Sequence, residues 1–229
     1  MSEWQGRTAV VTGGGRGFGK AFGTALAGEG AHVVLVDIDA GEAEAAAAEI
    51  CASGGSAEGM GGDVTDEARM AEVMAQAAKT HGGIDLLVNN AGLHSDEYGQ
   101  PILKMGLAKV RRLFEVNVLG VVCCTLAAHP HMKGRAGASI VHISSSAAHM
   151  GGSAYGDSKL AVAGLTITFA RELGVDGIRV NAISPGLMLT DTIRKELPEA
   201  TKARVQAMQL IAGDGLEEDI VEALLYLAS

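Results

Sequence analysis

The apolar positions of this chain fall into short uninterrupted blocks, separated by longer segments in which apolar and polar residues recur at helical spacing. Thr8-Ala9-Val10-Val11, His32-Val33-Val34-Leu35-Val36 and Ile84-Asp85-Leu86-Leu87-Val88 are blocks of the first kind, and each predicts a strand. Residues 139–144 and 178–183 add two more, and a weaker strand precedes Asp63. Helical patterns cover residues 40–50, 66–80, 102–128 and 155–173. A further helix opens at the glycine cluster after Val11 and stops near Gly30, a residue suited to a helix end. Strand and helix therefore alternate, which predicts an α/β fold: a doubly wound, mainly parallel sheet of Rossmann type. Blocks that are apolar at every position suit strands covered on both faces, so helices are expected on each side. The 229 residues are expected to form a single domain over 1–229. The less regular stretch 187–212, which mixes apolar and charged residues, reads as a lid over a substrate. Ligands of doubly wound sheets bind beyond the C-terminal ends of the strands, where the strand order reverses. The residues that close each strand are thus the ones to read for chemistry.

The first strand runs into Thr-Gly-Gly-Gly-Arg-Gly-Phe-Gly at residues 12–19. The G-x-G-x-x-G spacing fails, because Gly13 and Gly15 would require a glycine at Phe18. Gly13, Gly17 and Gly19 fit G-x-x-x-G-x-G instead. Glycines let the backbone turn sharply and approach a pyrophosphate, and the helix that follows offers unpaired N–H groups and a partial positive charge. A dinucleotide is therefore expected here. Asp37 closes the second strand, 18 residues beyond Gly19. A carboxylate at that place accepts hydrogen bonds from the ribose hydroxyls and repels a 2′-phosphate. NAD is the expected cofactor; Arg16, a cation beside Gly17 able to meet a phosphate, keeps NADP as the alternative.

Composition narrows the partners. A net charge of -9 and a pI near 5.2, with no basic run, argue against nucleic acid. Cys51, Cys123 and Cys124 form no CxxC pair and read as reduced, buried thiols. The N-terminus lacks the charged and apolar regions of a signal peptide, and no uninterrupted apolar run reaches the ~18 residues of a membrane span. No membrane association is expected, and a cytoplasmic location is. His129-Pro130-His131 lacks partners at ligand spacing, so no metal is expected and the tripeptide reads as a loop after a helix. His142 reads as a satisfied buried histidine.

Tyr155 and Lys159 lie four residues apart in a helical pattern, on one face about one turn apart. An unperturbed tyrosine has a pKa near ~10, and a neighbouring ammonium favours its phenolate. With the earlier motifs in order, the chain resembles the short-chain dehydrogenase/reductase family over essentially its whole length. The resemblance rests on Thr12, Gly13, Gly17 and Gly19; Asp63-Val64; Asn89-Asn90-Ala91-Gly92; Asn117 within Val116-Asn117-Val118; the serines 144–146; Tyr155 and Lys159; and Pro185, Gly186 and Thr190.

The resemblance implies hydride transfer between NAD(H) and a secondary alcohol or ketone. Tyr155 is the implied acid/base, Lys159 its charge partner and a ligand of the nicotinamide ribose, Ser145 the holder of the substrate oxygen, and Asn117 the holder of a proton-relaying water. Ser144 and Ser146 are the alternatives to Ser145. Cofactor contacts are implied for Gly13, Arg16, Gly17, Phe18, Gly19, Asp37, Asp63, Val64, Asn90, Ala91, Gly92, Tyr155, Lys159, Pro185, Gly186, Met188 and Thr190. A homodimer or homotetramer is implied as well. Two features depart from the family. Ser145 precedes Tyr155 by only ten residues, so the intervening loop is expected to be short. The chain also ends before the last edge strand usual in the family, so either the sequence is truncated or that edge is missing. The competing readings are a 3-oxoacyl thioester reductase using NADPH, a non-catalytic nucleotide-binding regulator, and an epimerase or dehydratase, for which a G-x-x-G-x-x-G pattern is lacking.

Overall fold

The computed structural model describes residues 4–94, 97–189, 198–211 and 213–229. Its six strands are β1 Thr8–Thr12, β2 His32–Asp37, β3 Ser56–Gly61, β4 Leu86–Asn89, β5 Ser139–Ile143 and β6 Arg179–Ile183. All pair in parallel, in the order β3-β2-β1-β4-β5-β6. The order reverses between β1 and β4, so the crevice for a ligand opens beyond the ends of those two strands.

Each central strand sends alternate side chains to two cores, which is why its sequence is apolar throughout. On one face Ala9, Val11, Val33 and Leu35 meet Phe22 and Leu26 of α1 (Gly17–Gly28), Ile50 of α2 (Ala40–Ala52) and Leu224 of the C-terminal helix Glu217–Ala228. On the other, Val10, Val34, Leu87 and Ile140 meet Met70 and Met74 of α3 (Glu67–His81) and Cys124 and Ala128 of a helix that follows β4. Phe169 of the long helix after β5 closes that face. The helices begin where side chains cap them. Asp39 accepts from the Gly41 and Glu42 N–H groups, and Asp66 from that of Arg69 at 3.0 Å; such caps contribute roughly 1 kcal/mol each. The expected end of α1 is where Gly30 adopts φ 96° and Ala31 N–H reaches back to the Leu26 carbonyl.

Four expectations are corrected. Of the three thiols only Cys124 is buried, whereas Cys51 is exposed and Cys123 half-buried. The helix expected over 102–128 is α4 (Ile102–Met105), α5 (Leu107–Phe114), a π turn (Glu115–Leu119) and α6 (Gly120–Met132). Gly106, at φ 75° and ψ 160°, breaks the first two apart. His129-Pro130-His131 is the last turn of α6 and not a loop. Tertiary bonds hold that turn despite the proline: His129 Nε2 lies 2.7 Å from Asp176 Oδ2, and the His131 carbonyl accepts from Ile84 N–H at 2.9 Å. His142 is buried but only half satisfied, because Nδ1 lies 3.1 Å from the Asn89 amide while Nε2 and Asn89 Oδ1 have no hydrogen-bond partner among the described residues.

The run Leu107–Met132 is long and apolar enough to cross a membrane, yet half of its most apolar window is buried inside the fold. Leu119 and Leu126, and likewise Leu160 and Ile167 of the helix after β5, are exposed leucines and isoleucine spaced seven apart. That spacing puts each pair on one helical face.

Candidate active site

The glycine loop sits where the backbone has no room for side chains. A Cβ on Gly19 would run into the Gly13 carbonyl, and one on Gly13 would stand 2.9 Å from Ala91 Cα. Gly13 and Gly17 have positive φ, 62° and 51°. Thr12 ties this loop to the end of β4. Its hydroxyl donates to the Val88 carbonyl and accepts from the N–H groups of Asn90 and Ala91, both at 3.1 Å. Asn90 returns the contact through Nδ2, which donates to the carbonyls of Thr12 (2.9 Å) and Gly13 (3.0 Å). Asp37 Oδ2 accepts from Gly15 N–H at 3.0 Å, which sets the carboxylate beside the loop. The first turn of α1 holds no acidic side chain and Arg16 makes no side-chain cap, so the positive end of the helix is left for an anion. Loop, helix end and carboxylate together fit the pyrophosphate and adenosine ribose of a dinucleotide.

Some expected cofactor residues are occupied otherwise. Phe18 turns its ring towards Phe22 and the core. Met188 packs on Gly215 and the same core. Both side chains remain partly exposed. Asp63 Oδ1 accepts from Thr65 N–H and Oγ1, and Oδ2 pairs with Arg112 at 3.2 Å. Pro185 is buried, its carbonyl taking the Ser146 N–H at 2.8 Å, and Gly186 is exposed. Thr190 and the stretch 190–197 of the expected lid lie outside the described residues, as does residue 212.

The long helix α7 (Ala154–Leu173) begins at Ser153, whose hydroxyl accepts from Gly156 N–H at 3.1 Å. That start places Tyr155 in the first turn and Lys159 one turn deeper. Lys159 Nζ donates to the Ile143 carbonyl at the end of β5 at 2.8 Å and lies 5.9 Å from the centre of the Tyr155 ring. Burial pushes the Lys159 ammonium down to about 8, so the group is still mostly charged at neutral pH. Burial also raises the Tyr155 phenol above its ordinary value, and a hydrogen bond with Ser145 only partly offsets this. Of these two influences burial is the larger, so the phenol stands above its ordinary value.

The three serines separate by direction. Ser144 is buried and donates from Oγ to the Lys159 carbonyl at 2.8 Å. Ser145 faces Tyr155, and its Oγ also accepts from Ala147 N–H at 3.2 Å. Ser146 opens a short 3-10 turn, Ser146–His149. Two glycines follow it at positive φ, Gly151 and Gly152, so the interval to Tyr155 is compact as expected. Gly156 lets this turn press onto α7, since a Cβ there would meet the Ala147 carbonyl at 2.6 Å.

Asn117 lies in the π turn, a distortion that recurs at functional sites. Its Oδ1 accepts from Leu93 N–H at 2.7 Å, and Nδ2 donates to the Leu93 carbonyl and to Ser158 Oγ, both at 3.1 Å. Ser158 in turn donates to the Tyr155 carbonyl at 2.7 Å. Both amide protons are committed, so a water held here would have to donate to an oxygen of Asn117. Gly92 completes the cluster: a Cβ on it would stand 3.3 Å from Asn117 Oδ1 and 3.4 Å from Lys159 Nζ. Sequence reasoning missed the Ile143 carbonyl, Ser158, Arg112 and Gly120. A backbone carbonyl carries no signal in a sequence, whereas the glycine three residues before Cys123 was readable as a close-packing position.

Comparison with known proteins identifies the family. The family model for short chain dehydrogenases matches residues 7–201. An uncharacterised oxidoreductase of Mycobacterium tuberculosis is 41% identical over 224 residues, 97% of this chain and 90% of that protein. A cis-4-hydroxycyclohexanecarboxylate dehydrogenase of Sinomonas cyclohexanicum is 36% identical over 97% of this chain and 89% of its own. Among solved structures, a 7α-hydroxysteroid dehydrogenase in complex with NADH and 7-oxo glycochenodeoxycholic acid superposes with a TM-score of 0.91 at 33% identity, covering 99% of this chain and 88% of the other. The chain belongs to the short-chain dehydrogenase/reductase family, the NAD(P)-dependent oxidoreductases that act on CH–OH groups.

Proposed function

We propose that this protein interconverts a secondary alcohol and its ketone with NAD(H), using Tyr155 as the acid and base. The observation that carries the reading is the convergence of Ser145, Tyr155, Lys159 and Asn117 at the ends of β4 and β5, one sheet crevice away from the glycine loop. When bound, the nicotinamide supplies the hydride acceptor or donor. The residues of this chain handle the proton and the oxygen.

In the reducing direction Ser145 Oγ and Tyr155 Oη both meet the substrate oxygen, and Tyr155 donates its proton to it. The raised pKa of the phenol suits that donation. In the oxidising direction the phenol must lose its proton first, and the Lys159 ammonium together with a positively charged ring above it favours that loss. Lys159 uses one N–H on the Ile143 carbonyl, which leaves two for the nicotinamide ribose. Asn117 acts through an oxygen acceptor, holding a water that carries protons to and from the lysine. Asp37 accepts from the adenosine ribose, which favours NAD over NADP.

The Sinomonas cyclohexanicum dehydrogenase and the 7α-hydroxysteroid dehydrogenase act on, or bind, a hydroxyl or oxo group carried by a ring and accompanied by a carboxylic acid. This supports cyclic secondary alcohols as the first substrates to try. The lid over residues 187–212, a single-domain organisation and a cytoplasmic location belong to the same reading. The exposed stripes on α6 and α7 support a homodimer or homotetramer, in which a second copy covers them.

The test is a panel of cyclic and acyclic secondary alcohols and ketones with NAD and NADP, read by nicotinamide absorbance. Turnover with NAD that vanishes in Tyr155→Phe, while the variant still binds NAD, is the expected result. Undiminished turnover in Tyr155→Phe removes the mechanism, and a clear NADP preference removes the role given to Asp37.

A further inference from the structure

The π turn carrying Asn117 is gripped from two sides. On the catalytic side Asn117 itself bonds to Leu93 and Ser158. On the other side two contacts reach the loop after β3, where the family resemblance implies that Asp63-Val64 contacts the adenine of the cofactor. Arg112, in the last turn of α5, donates from Nη2 to Asp63 Oδ2 at 3.2 Å and from Nη1 to Glu115 Oε2, the first residue of the π turn, at 3.3 Å. Gly120 begins α6 directly after the turn, and a Cβ there would stand 2.7 Å from Val64 Cγ2 and 3.2 Å from Val64 Cβ. Asp63-Val64 therefore touches the segment on both flanks of Asn117: before it through Arg112, after it through Gly120.

A π turn widens the helix and gives poorer backbone bonding than an α turn, so it persists where tertiary contacts hold it. Burial would raise the Asp63 carboxyl, but its bonds with Thr65 and Arg112 outweigh that and hold it below its ordinary value. The charge that Arg112 grips is thus present throughout the neutral range. Arg112 and Asp63 are both partly exposed, at 40% and 32%, and such pairs contribute little to global stability. The effect of the pair is consequently local, on the two segments it joins.

We propose that Arg112 is a positioning residue that holds the adenosine-side loop and the turn bearing Asn117 as one unit, with Gly120 leaving the space that lets the two segments meet. The proposal rests on the reading of Asp63-Val64 as part of the cofactor site. Its consequence is that one surface arginine, touching neither reacting atoms nor nicotinamide, influences both the affinity for the adenosine half and the catalytic rate.

The experiment compares wild type, Arg112→Gln, Arg112→Lys and Gly120→Ala as full-length proteins. AMP, the adenosine half alone, is titrated by calorimetry. The turnover number is measured at saturating NAD and alcohol, and urea midpoints report stability. Arg112→Gln is expected to bind AMP about five-fold more weakly, the scale of one exposed ion pair, and to turn over several-fold more slowly at an unchanged urea midpoint. Arg112→Lys, which keeps the charge, recovers part of both. Gly120→Ala is expected to lose both although alanine is the better helix former. AMP affinity unchanged in Arg112→Gln, or lowered with the turnover number intact, overturns the proposal. AMP binding absent from the wild type, or indifferent to Asp37→Ala, instead overturns the cofactor reading beneath it.

Discussion

His142 offers a measurement of how the buried polar face of β5 responds to acid. Its imidazole is fully buried, with Asn89 on Nδ1, the Phe169 ring at 6.1 Å and no partner on Nε2 among the described residues. Burial first, and the positive charge of Lys159 second, push its pKa from 6.5 down to about 4. In the unfolded chain the same group titrates near ~6.5, so between these values the unfolded state binds more protons than the folded one. Stability is therefore complete above the unfolded value and is lost as the pH falls towards about 4, amounting to about 3 kcal/mol over the whole window at ~1.36 kcal/mol per pH unit. About 2 kcal/mol of that is lost between pH 7 and pH 5. The assay is urea unfolding followed by circular dichroism at those two pH values, for the wild type and for His142→Asn. Other titrating groups contribute equally to both proteins and cancel in the comparison. The variant is expected to lose about 2 kcal/mol less than the wild type on acidification, whatever its stability at pH 7. Parallel losses in the two proteins would refute the reasoning, because they would mean that His142 takes up a proton as readily folded as unfolded.

Two further outcomes follow from directions of side chains. Ser145→Ala should lower the turnover number by about 10²-fold or more, as expected for loss of a group that meets the reacting oxygen, with stability nearly unchanged; Ser144→Ala should instead lower the urea midpoint, because it strips a buried hydrogen bond from the Lys159 carbonyl. A reversed pattern would reassign the serine. Leu126→Glu combined with Ile167→Glu should shift the protein to a smaller species in analytical ultracentrifugation, since both exposed side chains lie in the stripes assigned to a second copy; an unchanged sedimentation coefficient would place the subunit contact elsewhere.

The strands were legible because burial on both faces leaves nothing but apolar residues between turn signals, as in Val33 to Val36. The helix ends were legible where a side chain or glycine makes them, as at Asp66 and Gly30. The course of residues 102–132 was not. Its apolar spacing continues through Gly106 and Asn117 as if one helix ran the whole way, whereas the break at Gly106 is a matter of backbone dihedral and the π turn is held by Leu93 and Ser158, partners 24 and 41 residues away. Similarly, Tyr155 and Lys159 were legible as a pair, but the partner that fixes the lysine is a carbonyl on β5. What local sequence cannot carry is contact between distant segments, and the site is made of such contacts.

The same contacts set the charge state of the site. His142 and the Ile143 carbonyl that binds Lys159 are adjacent on β5, so the strand presents an imidazole and an ammonium anchor side by side. Both bases are pushed down by burial, His142 to about 4 and Lys159 to about 8, and the lysine charge deepens the shift of the histidine. Two cations cannot share a face from which water is excluded without a large energetic penalty. The less basic group yields, and between about 4 and about 8 this pair carries one positive charge, on the lysine that stands beside Tyr155. An ordinary surface pair at the same helical spacing would keep its cation over a wider range but would spend it on solvent. Here desolvation makes the charge fragile, and under the proposed mechanism it also makes it effective, because the low-dielectric surroundings that pull its pKa down would strengthen its action on the phenol one turn away.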